Sequence, residues 1–331
     1  MSAAAPGPPA QPRAPRRGRP MTASRRANRA GIAFVSPTFL VVLVVVALPI
    51  LWTVLLAFQD ARLVDIQGMG LLGDWTLENF SEVFGSGGFW ESLLVTLVYT
   101  VGGTAGSILL GLVAALALRP RFRGRGLLRA AMLLPYVAPV VAVTFVWEVA
   151  LSPQYGIVND WGRRLLGWDD PIAFLSSRRY EVGVLGLHVD VPPALLTVIA
   201  FECWRYFPFA FLFVLARLQA VPPVLEEAAT VDGATPTQRF RYVLLPQLTP
   251  VIALLCVLRF IMTFNKFDDV YLLTGGGAGT DVAAVRVYDF LTARYDVGAA
   301  AAQALVLAAS LMVLLGLYFR FFGDRAREEQ A

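Results

Sequence analysis

Residues 30–59 read AGIAFVSPTFLVVLVVVALPILWTVLLAFQ, a run without a charged side chain. About 20 helical residues cross a hydrocarbon core about 30 Å thick. Lipid offers no water to backbone N–H and C=O groups, so a spanning run must satisfy them within a helix. The stretch therefore predicts a membrane-spanning helix. It is too long for the apolar part of an export signal and no small-residue cleavage site follows it, so it is expected to stay uncleaved.

Two other runs, Ser92 to Leu118 and Val297 to Phe319, are also free of charge and long enough to span. The whole 331-residue chain follows suit, with 57% hydrophobic and 16% charged residues and a mean hydropathy of +0.62. Soluble domains are about 45–50% apolar and about 25% charged, so the excess needs lipid as its solvent. Helices are predicted near 32–58, 92–118, 130–151, 192–216, 246–272 and 297–321. The fold class is an all-α integral membrane protein with six transmembrane helices and no separate soluble domain.

The charges order these helices across the bilayer. Arg13, Arg16, Arg17, Arg19, Arg25, Arg26 and Arg29 crowd the N-terminal tail, with no acid before Asp60. Such a tail suits nucleic acid or topology; beside a span it sets topology, and no nucleic-acid partner is expected. The second linker holds Arg119, Arg121, Arg123, Arg125 and Arg129 and no acid, whereas the first sets Arg62 against Asp60, Asp65, Asp74, Glu78, Glu82 and Glu91. Lys and Arg mark cytoplasmic loops. The tail and second linker are therefore cytoplasmic, and six spans return Arg320, Arg325 and Arg327 to the same side. This describes a multi-pass protein of the cytoplasmic (inner) membrane with both termini inside. Trp75, Trp90, Trp147, Trp161 and Trp168 then fall outside or at the outer interface, leaving Trp204 as the mid-membrane tryptophan.

Residues 1–29, rich in Pro, Ala, Gly and Arg, are expected to be a disordered cytoplasmic tail. Residues 30–322 form the transmembrane domain and 323–331 a second cytoplasmic tail. The third linker, about 152–191, is external, with a short helix between Gly156 and Gly167 and irregular chain elsewhere. Cys203 and Cys256 lie in apolar segments without metal or redox spacing, and His188 has only Asp190 near it, which reads as loop surface.

The fourth and fifth spans carry charge. Glu202 and Arg205 interrupt the fourth, Arg259 and Lys266 the fifth, and Asp268 and Asp269 lie near its outer end. An ionised group at the bilayer centre costs about 2.5–3.5 kcal/mol on insertion scales, so such groups face protein or a watery pathway. Glu202 and Arg205, three apart, are placed to pair with each other. Aromatic faces beside hydrogen-bonding groups suit a sugar, with its apolar C–H faces and hydroxyl rim. The candidate substrate-pathway residues are Trp204, Arg205, Tyr206, Phe209, Asn265, Asp268 and Tyr271. Arg205, Arg259 and Lys266 offer an electropositive alternative for a phosphate ester.

The stretch between spans four and five carries the strongest signal. Pro222 and Pro223 suit a helix start, and Gly233 suits its left-handed stop. Thr235, Pro236 and Gln238 form a capping-box start for a second helix. Pro246 marks the beginning of the fifth span. Leu225, Ala228, Ala229 and Asp232 share one face, with small residues that admit a close approach by another protein.

Glu227-Ala228-Ala229, three residues, Gly233, nine residues, Val243, one residue and Leu245-Pro246 resemble the EAA loop of binding-protein-dependent ABC importer permeases, where Val243 replaces a usual Ile. Met132-Leu133-Leu134-Pro135-Tyr136, Trp204-Arg205-Tyr206-Phe207-Pro208-Phe209, Phe264-Asn265-Lys266-Phe267-Asp268 and Leu273-Thr274-Gly275-Gly276-Gly277 are similar to the carbohydrate-uptake branch, the maltose and glycerol-phosphate types. The likeness covers about residues 32–321 and lacks the large external domain of some maltose permeases.

The resemblance implies that residues 221–246, between helices 4 and 5, form a cytoplasmic coupling-helix (EAA) loop. Glu227, Ala228, Ala229, Gly233, Leu245 and Pro246 would be its ATPase-coupling residues. It implies two cytoplasmic ABC ATPase subunits, a second homologous permease and an extracytoplasmic substrate-binding protein, with a sugar substrate and membrane lipid completing the partners. The sequence has no G-x-x-x-x-G-K-[ST], and the Gly275 to Gly279 run lacks the following Lys. This chain is therefore expected to bind no cofactor and to be no enzyme; ATP and Mg2+ belong to the partner ATPases. The expected function is import of a neutral di- or oligosaccharide by alternating access. A glycerol-phosphate-type substrate is the alternative within the family. An ion-gradient-driven secondary transporter is the alternative outside it, and it would leave the EAA-like loop without a task.

Overall fold

A computed structural model describes residues 21–64, 73–184 and 187–328. The chain divides into two units, residues 1–53 and 54–331.

The first unit is helical from Met21. Helix α1 (Met21–Val42) passes through a π-helical turn (Leu43–Ala47) into α2 (Leu48–Ala57), whose last residues belong to the second unit. Side chains from Ile32 to Leu51 are exposed, as expected of a helix whose solvent is lipid. Residues 21–29, expected as disordered tail, are helical; the rest of that tail lies outside the described residues.

The second unit continues with α3 (Glu78–Gly85), α4 (Phe89–Ala117), α5 (Arg125–Ala131), α6 (Leu134–Val137), α7 (Val140–Leu151) and α8 (Ile157–Leu166). The strands β1 (Tyr180–Val184) and β2 (Leu187–Val191) precede α9 (Pro193–Ala220), α10 (Pro223–Val231) and α11 (Pro236–Arg239). A second π turn (Phe240–Leu244) leads to α12 (Leu245–Phe264), α13 (Asp268–Thr274), α14 (Ala283–Thr292) and α15 (Val297–Glu328). Among the described residues, five helices are long and apolar enough to cross a membrane: Ile32–Ala57, Phe89–Ala117, Pro193–Ala220, Pro236–Phe264 and Val297–Arg320.

Four expectations need correction. The predicted third span is a bent pair, Arg125–Val137 and Val140–Leu151, turned by 94°. Ala138 precedes Pro139, whose ring drives it out of the α region to ψ 142°. The fifth span is shifted: it begins at Pro236, stops at Phe264 and leaves α13 as a separate turn. Pro246 accordingly lies within that span instead of opening it. The third linker contains an antiparallel hairpin, with Tyr180 opposite Val191 and His188 opposite Gly183. Tyr180, Val182 and Val184 alternate along the first strand and Val189 and Val191 along the second, residue types that favour strands. The C-terminal helix extends to Glu328, through most of the expected tail.

Each π turn ends two residues before a proline, Pro49 and Pro246. A helical proline lacks the N–H that the carbonyl four residues back would accept, and its ring crowds that carbonyl. Widening the preceding turn relieves the clash while the helix continues.

The core of the second unit is the α4–α9 interface, with α12 laid along it. Ile108, Ala115, Phe207, Ala210, Phe211, Val214, Leu248 and Leu255 are buried there. Gly103, Ser107 and Gly111 recur every fourth residue on α4 and let α9 approach. A Cβ at Gly111 would lie 2.7 Å from the Ala210 Cβ and 2.7 Å from the Phe211 N. Small residues at this spacing drive helix association where lipid removes the hydrophobic incentive. A second cluster joins Val83, Phe89, Phe290 and Ala299–Ala302. Beside it the buried Asn79 amide donates to the Ala57 and Gln59 carbonyls at 3.0 and 2.8 Å.

Candidate functional site

Two constellations carry the chemistry: an ionic cluster inside the helix bundle and an exposed helical loop at one end of it.

In the cluster, Glu202 on α9 is fully buried. Its Oε1 accepts from the Arg259 guanidinium of α12 at 2.5 Å and from the Thr263 hydroxyl at 2.9 Å. Its Oε2 accepts from the Tyr99 hydroxyl of α4 at 2.9 Å. Arg259 also donates to the Ser107 hydroxyl at 3.3 Å. Gly103 makes the space, since a Cβ there would lie 2.6 Å from the Glu202 Cγ. Three helices thus meet on one carboxylate.

Arg205, one turn further along α9, does not pair with Glu202 as the i, i+3 spacing suggested. It lies 3.6 Å from Asp269 of α13, and Glu202 takes Arg259 instead. A helix places i and i+3 side chains side by side, but burial rewards the partner that also satisfies the remaining lone pairs. Lys266, in the break between α12 and α13, reaches Asp268 at 2.9 Å and Asp269 at 3.6 Å. The Tyr206 ring sits among the cations, 4.4 Å from Arg259 and 4.7 Å from Lys266. Such contacts are worth about 2 kcal/mol or more when desolvated.

The aromatic candidates form flanking groups instead of one ring of side chains. Trp204 packs against Trp147 at 5.6 Å and Phe201 at 6.1 Å. Trp147 thus stands half-buried beside Trp204 and lines a cavity with Ile172, Phe174 and Tyr180 of the third linker. Tyr206 and Phe209 meet Tyr136 at 5.9 and 6.2 Å. Tyr271 packs between Phe267 and Tyr288 at 5.0 and 4.8 Å. The exposed Asn265 amide donates to the Ile261 carbonyl at 2.9 Å. Tyr99, Trp147, Tyr136 and Tyr288 were missed as companions of these residues. The Gly103-Ser107-Gly111 spacing was the available sign that α4 belongs at this site.

The exposed loop is built from local signals. α10 runs Pro223–Val231 with no buried residue. Gly233 follows in the left-handed region at φ +80°, and the Ala234 N–H closes on the Ala229 carbonyl at 2.9 Å. Thr235 opens α11 with a capping box: its hydroxyl accepts from the Gln238 N–H, and its own N–H donates to the Gln238 side chain at 2.8 Å. Arg239 donates to the Thr230 hydroxyl at 3.1 Å, tying α11 back to α10. Glu226, Glu227, Thr230, Val231 and Arg239 line a shallow, open depression of about 410 Å³. Glu226 is held in a bidentate pair by Arg119, whereas Glu227 has no hydrogen-bond or ion-pair partner among the described residues. Ala228 and Ala229 lie beside it, partly or fully open to solvent. Leu245 and Pro246 sit at the start of α12, beyond the π turn.

A bundle of apolar helices with an exposed two-helix loop and buried charge between spans describes a membrane transport subunit. Residues 107–328 match the family model of the "binding-protein-dependent transport system inner membrane component". An inner membrane ABC transporter permease protein of Escherichia coli, YcjO, is 39% identical over 232 residues, 70% of this chain and 74% of that protein. The trehalose transport system permease protein SugA of Mycobacterium tuberculosis is 31% identical over 307 residues, 92% of each chain. The solved structure of a bacterial ABC transporter involved in the import of alginate has the same fold. It superposes with TM-score 0.75 at 21% identity, over 92% of this chain and 98% of that one. The chain belongs to the family of binding-protein-dependent ABC transporter permeases.

Proposed function

We propose that this permease moves a neutral di- or oligosaccharide across the cytoplasmic membrane, driven by ATPases that dock on α10. The observation that carries the docking is the exposure of α10, where Glu227 and Ala228 stand open and Ala229 is half-buried, just before the left-handed Gly233. A helix without buried residues leaves its surface available to a partner, and its small side chains let a cleft close around it. Two cytoplasmic ABC ATPases would supply ATP and Mg2+, and a second permease would complete the pathway. The end carrying α10 would face the cytoplasm along with both termini. An extracytoplasmic binding protein would deliver the substrate.

The sugar class is supported by relatives such as the trehalose permease and by the charge count of the cluster. Arg205, Arg259 and Lys266 are matched by Glu202, Asp268 and Asp269. A balanced cluster has little surplus attraction for a phosphate ester. Trp204, Tyr206, Phe209 and Tyr271 offer stacking faces, and Arg205, Asn265 and Asp268 hydrogen bonds.

Docking is tested by co-expression with the ABC ATPase of the same gene neighbourhood. The unaltered chain is expected to retain the ATPase on purification. Gly233→Asp puts a Cβ at φ +80°, at a cost of roughly 1–2 kcal/mol to the helix stop, and is expected to lower recovered ATPase about fivefold or more. Equal recovery with the variant would remove α10 as the docking element. The pathway is tested by uptake: Trp204→Ala and Asp268→Ala are each expected to reduce sugar transport about tenfold with ATPase association intact. Unchanged uptake in both would remove those residues from the pathway.

A further inference from the structure

We infer that the Arg119–Glu226 pair transmits movement of α10 to the transmembrane core, and that Arg119 is a positioning residue for ATP-coupled transport. The inference rests on reading α10 as the docking helix. Adjacent glutamates divide the work: Glu227 is left for a partner, while Glu226 is bound to its own chain.

α10 has no buried residue, so packing alone fixes it weakly. It continues from α9 through Val221 and the extended Pro222, at ψ 128°. Arg239 links it to α11. Its direct link to α4 is Arg119, where both terminal guanidinium nitrogens donate to both Glu226 carboxylate oxygens. The side chains are 28% and 22% exposed, so water screens the pair only partly. A bidentate fork fixes orientation as well as distance, which a single ammonium contact does not.

The other end of the link is rigid. Arg119 follows the last turn of α4, and two arginines of the neighbouring segment secure that turn. Arg129 donates to the Leu118 carbonyl at 2.8 Å and Arg125 to the Arg119 carbonyl at 3.2 Å. These cations also offset the negative end of the α4 dipole. α4 then runs through Ser107 and Tyr99 to the Glu202–Arg259 cluster. A displacement of α10 therefore acts on α4 through a charged fork and reaches the buried cluster along one helix.

The test uses the assembled importer: this chain, its second permease, the ATPases and the binding protein, in liposomes. The readouts are ATPase association, basal hydrolysis and the stimulation produced by sugar-loaded binding protein. Arg119→Ala is expected to keep association and to lower stimulation about tenfold, within the usual range of coupling free energies. Arg119→Lys, which keeps charge and loses the fork, is expected to fall between. Arg119→Glu with Glu226→Arg is expected to restore most of the stimulation, which a general loss of stability cannot do. Should Arg119→Ala fail to assemble, Glu226→Gln removes the ion pair at constant shape and is read by the same ratio. Stimulation within about twofold of the unaltered complex, or no recovery in an assembled reversed pair, overturns the link alone. An unaltered chain that never associates with the ATPase overturns the importer reading and the link with it.

Discussion

Arg259→Ala is expected to destabilise the detergent-solubilised protein by about 3–5 kcal/mol, a drop in thermal midpoint on the order of 10 °C. Arg259 and Glu202 have side chains 1% and 0% exposed. Removing the guanidinium leaves a carboxylate in an apolar interior with only the Tyr99 and Thr263 hydroxyls to stabilise it. It also opens a cavity beside the Tyr206 ring and removes the bond that the Ser107 hydroxyl accepts. The double variant Glu202→Leu, Arg259→Met removes both charges together and is expected to be more stable than either single change, because no charge is left unpaired. Lys266→Ala should cost less, since Asp268 is 44% exposed, so that water can replace the lost contact, and the buried Asp269 keeps Arg205 at 3.6 Å. A midpoint for Arg259→Ala within about 2 °C of the unaltered protein would show that water already reaches this pair.

Gly111→Val is expected to cost roughly 3 kcal/mol and to reduce the monodisperse fraction on size exclusion. The added Cβ meets the Ala210 Cβ at 2.7 Å, the Phe211 N at 2.7 Å and the Phe207 carbonyl at 2.9 Å. Two of these three are backbone, so no rotamer change relieves them and α4 must separate from α9. Overpacking of this kind costs about 1–3 kcal/mol. Here it falls on the main interface of the second unit, so the upper end applies. Gly316→Val is the control, because a Cβ there has no neighbour within 4 Å. Equal loss in both variants would assign the effect to helix propensity, and the close approach of α4 and α9 would not be what Gly111 serves.

The spans were legible in the sequence because lipid imposes a length and forbids free charge. Residues 30–59 and 297–319 needed only that rule, and they are helical over residues 30–57 and 297–319. The α10–α11 corner was legible for a local reason. Gly233 and the Thr235–Gln238 capping box act on backbone groups within a few residues, so their geometry does not wait for the rest of the fold. Pro139 was equally visible and marks the 94° bend, but hydropathy counted straight across it. Pro246 misled in the other direction, because the π turn before it let one helix pass through.

The sequence by itself thus determined that long apolar helices build the chain, where the exposed loop breaks, and which residues bring charge into the bundle. Only the tertiary structure decided what those charges do. Glu202 finds Arg259, 57 residues away, in preference to Arg205 three residues on. Glu226 finds Arg119 across 107 residues, while the identical side chain next to it has no partner among the described residues. The physical reason is the same in each case. A helix sets the neighbours of a side chain within one turn, but a buried charge is stable only where several donors or acceptors converge, and helix packing alone decides where that happens.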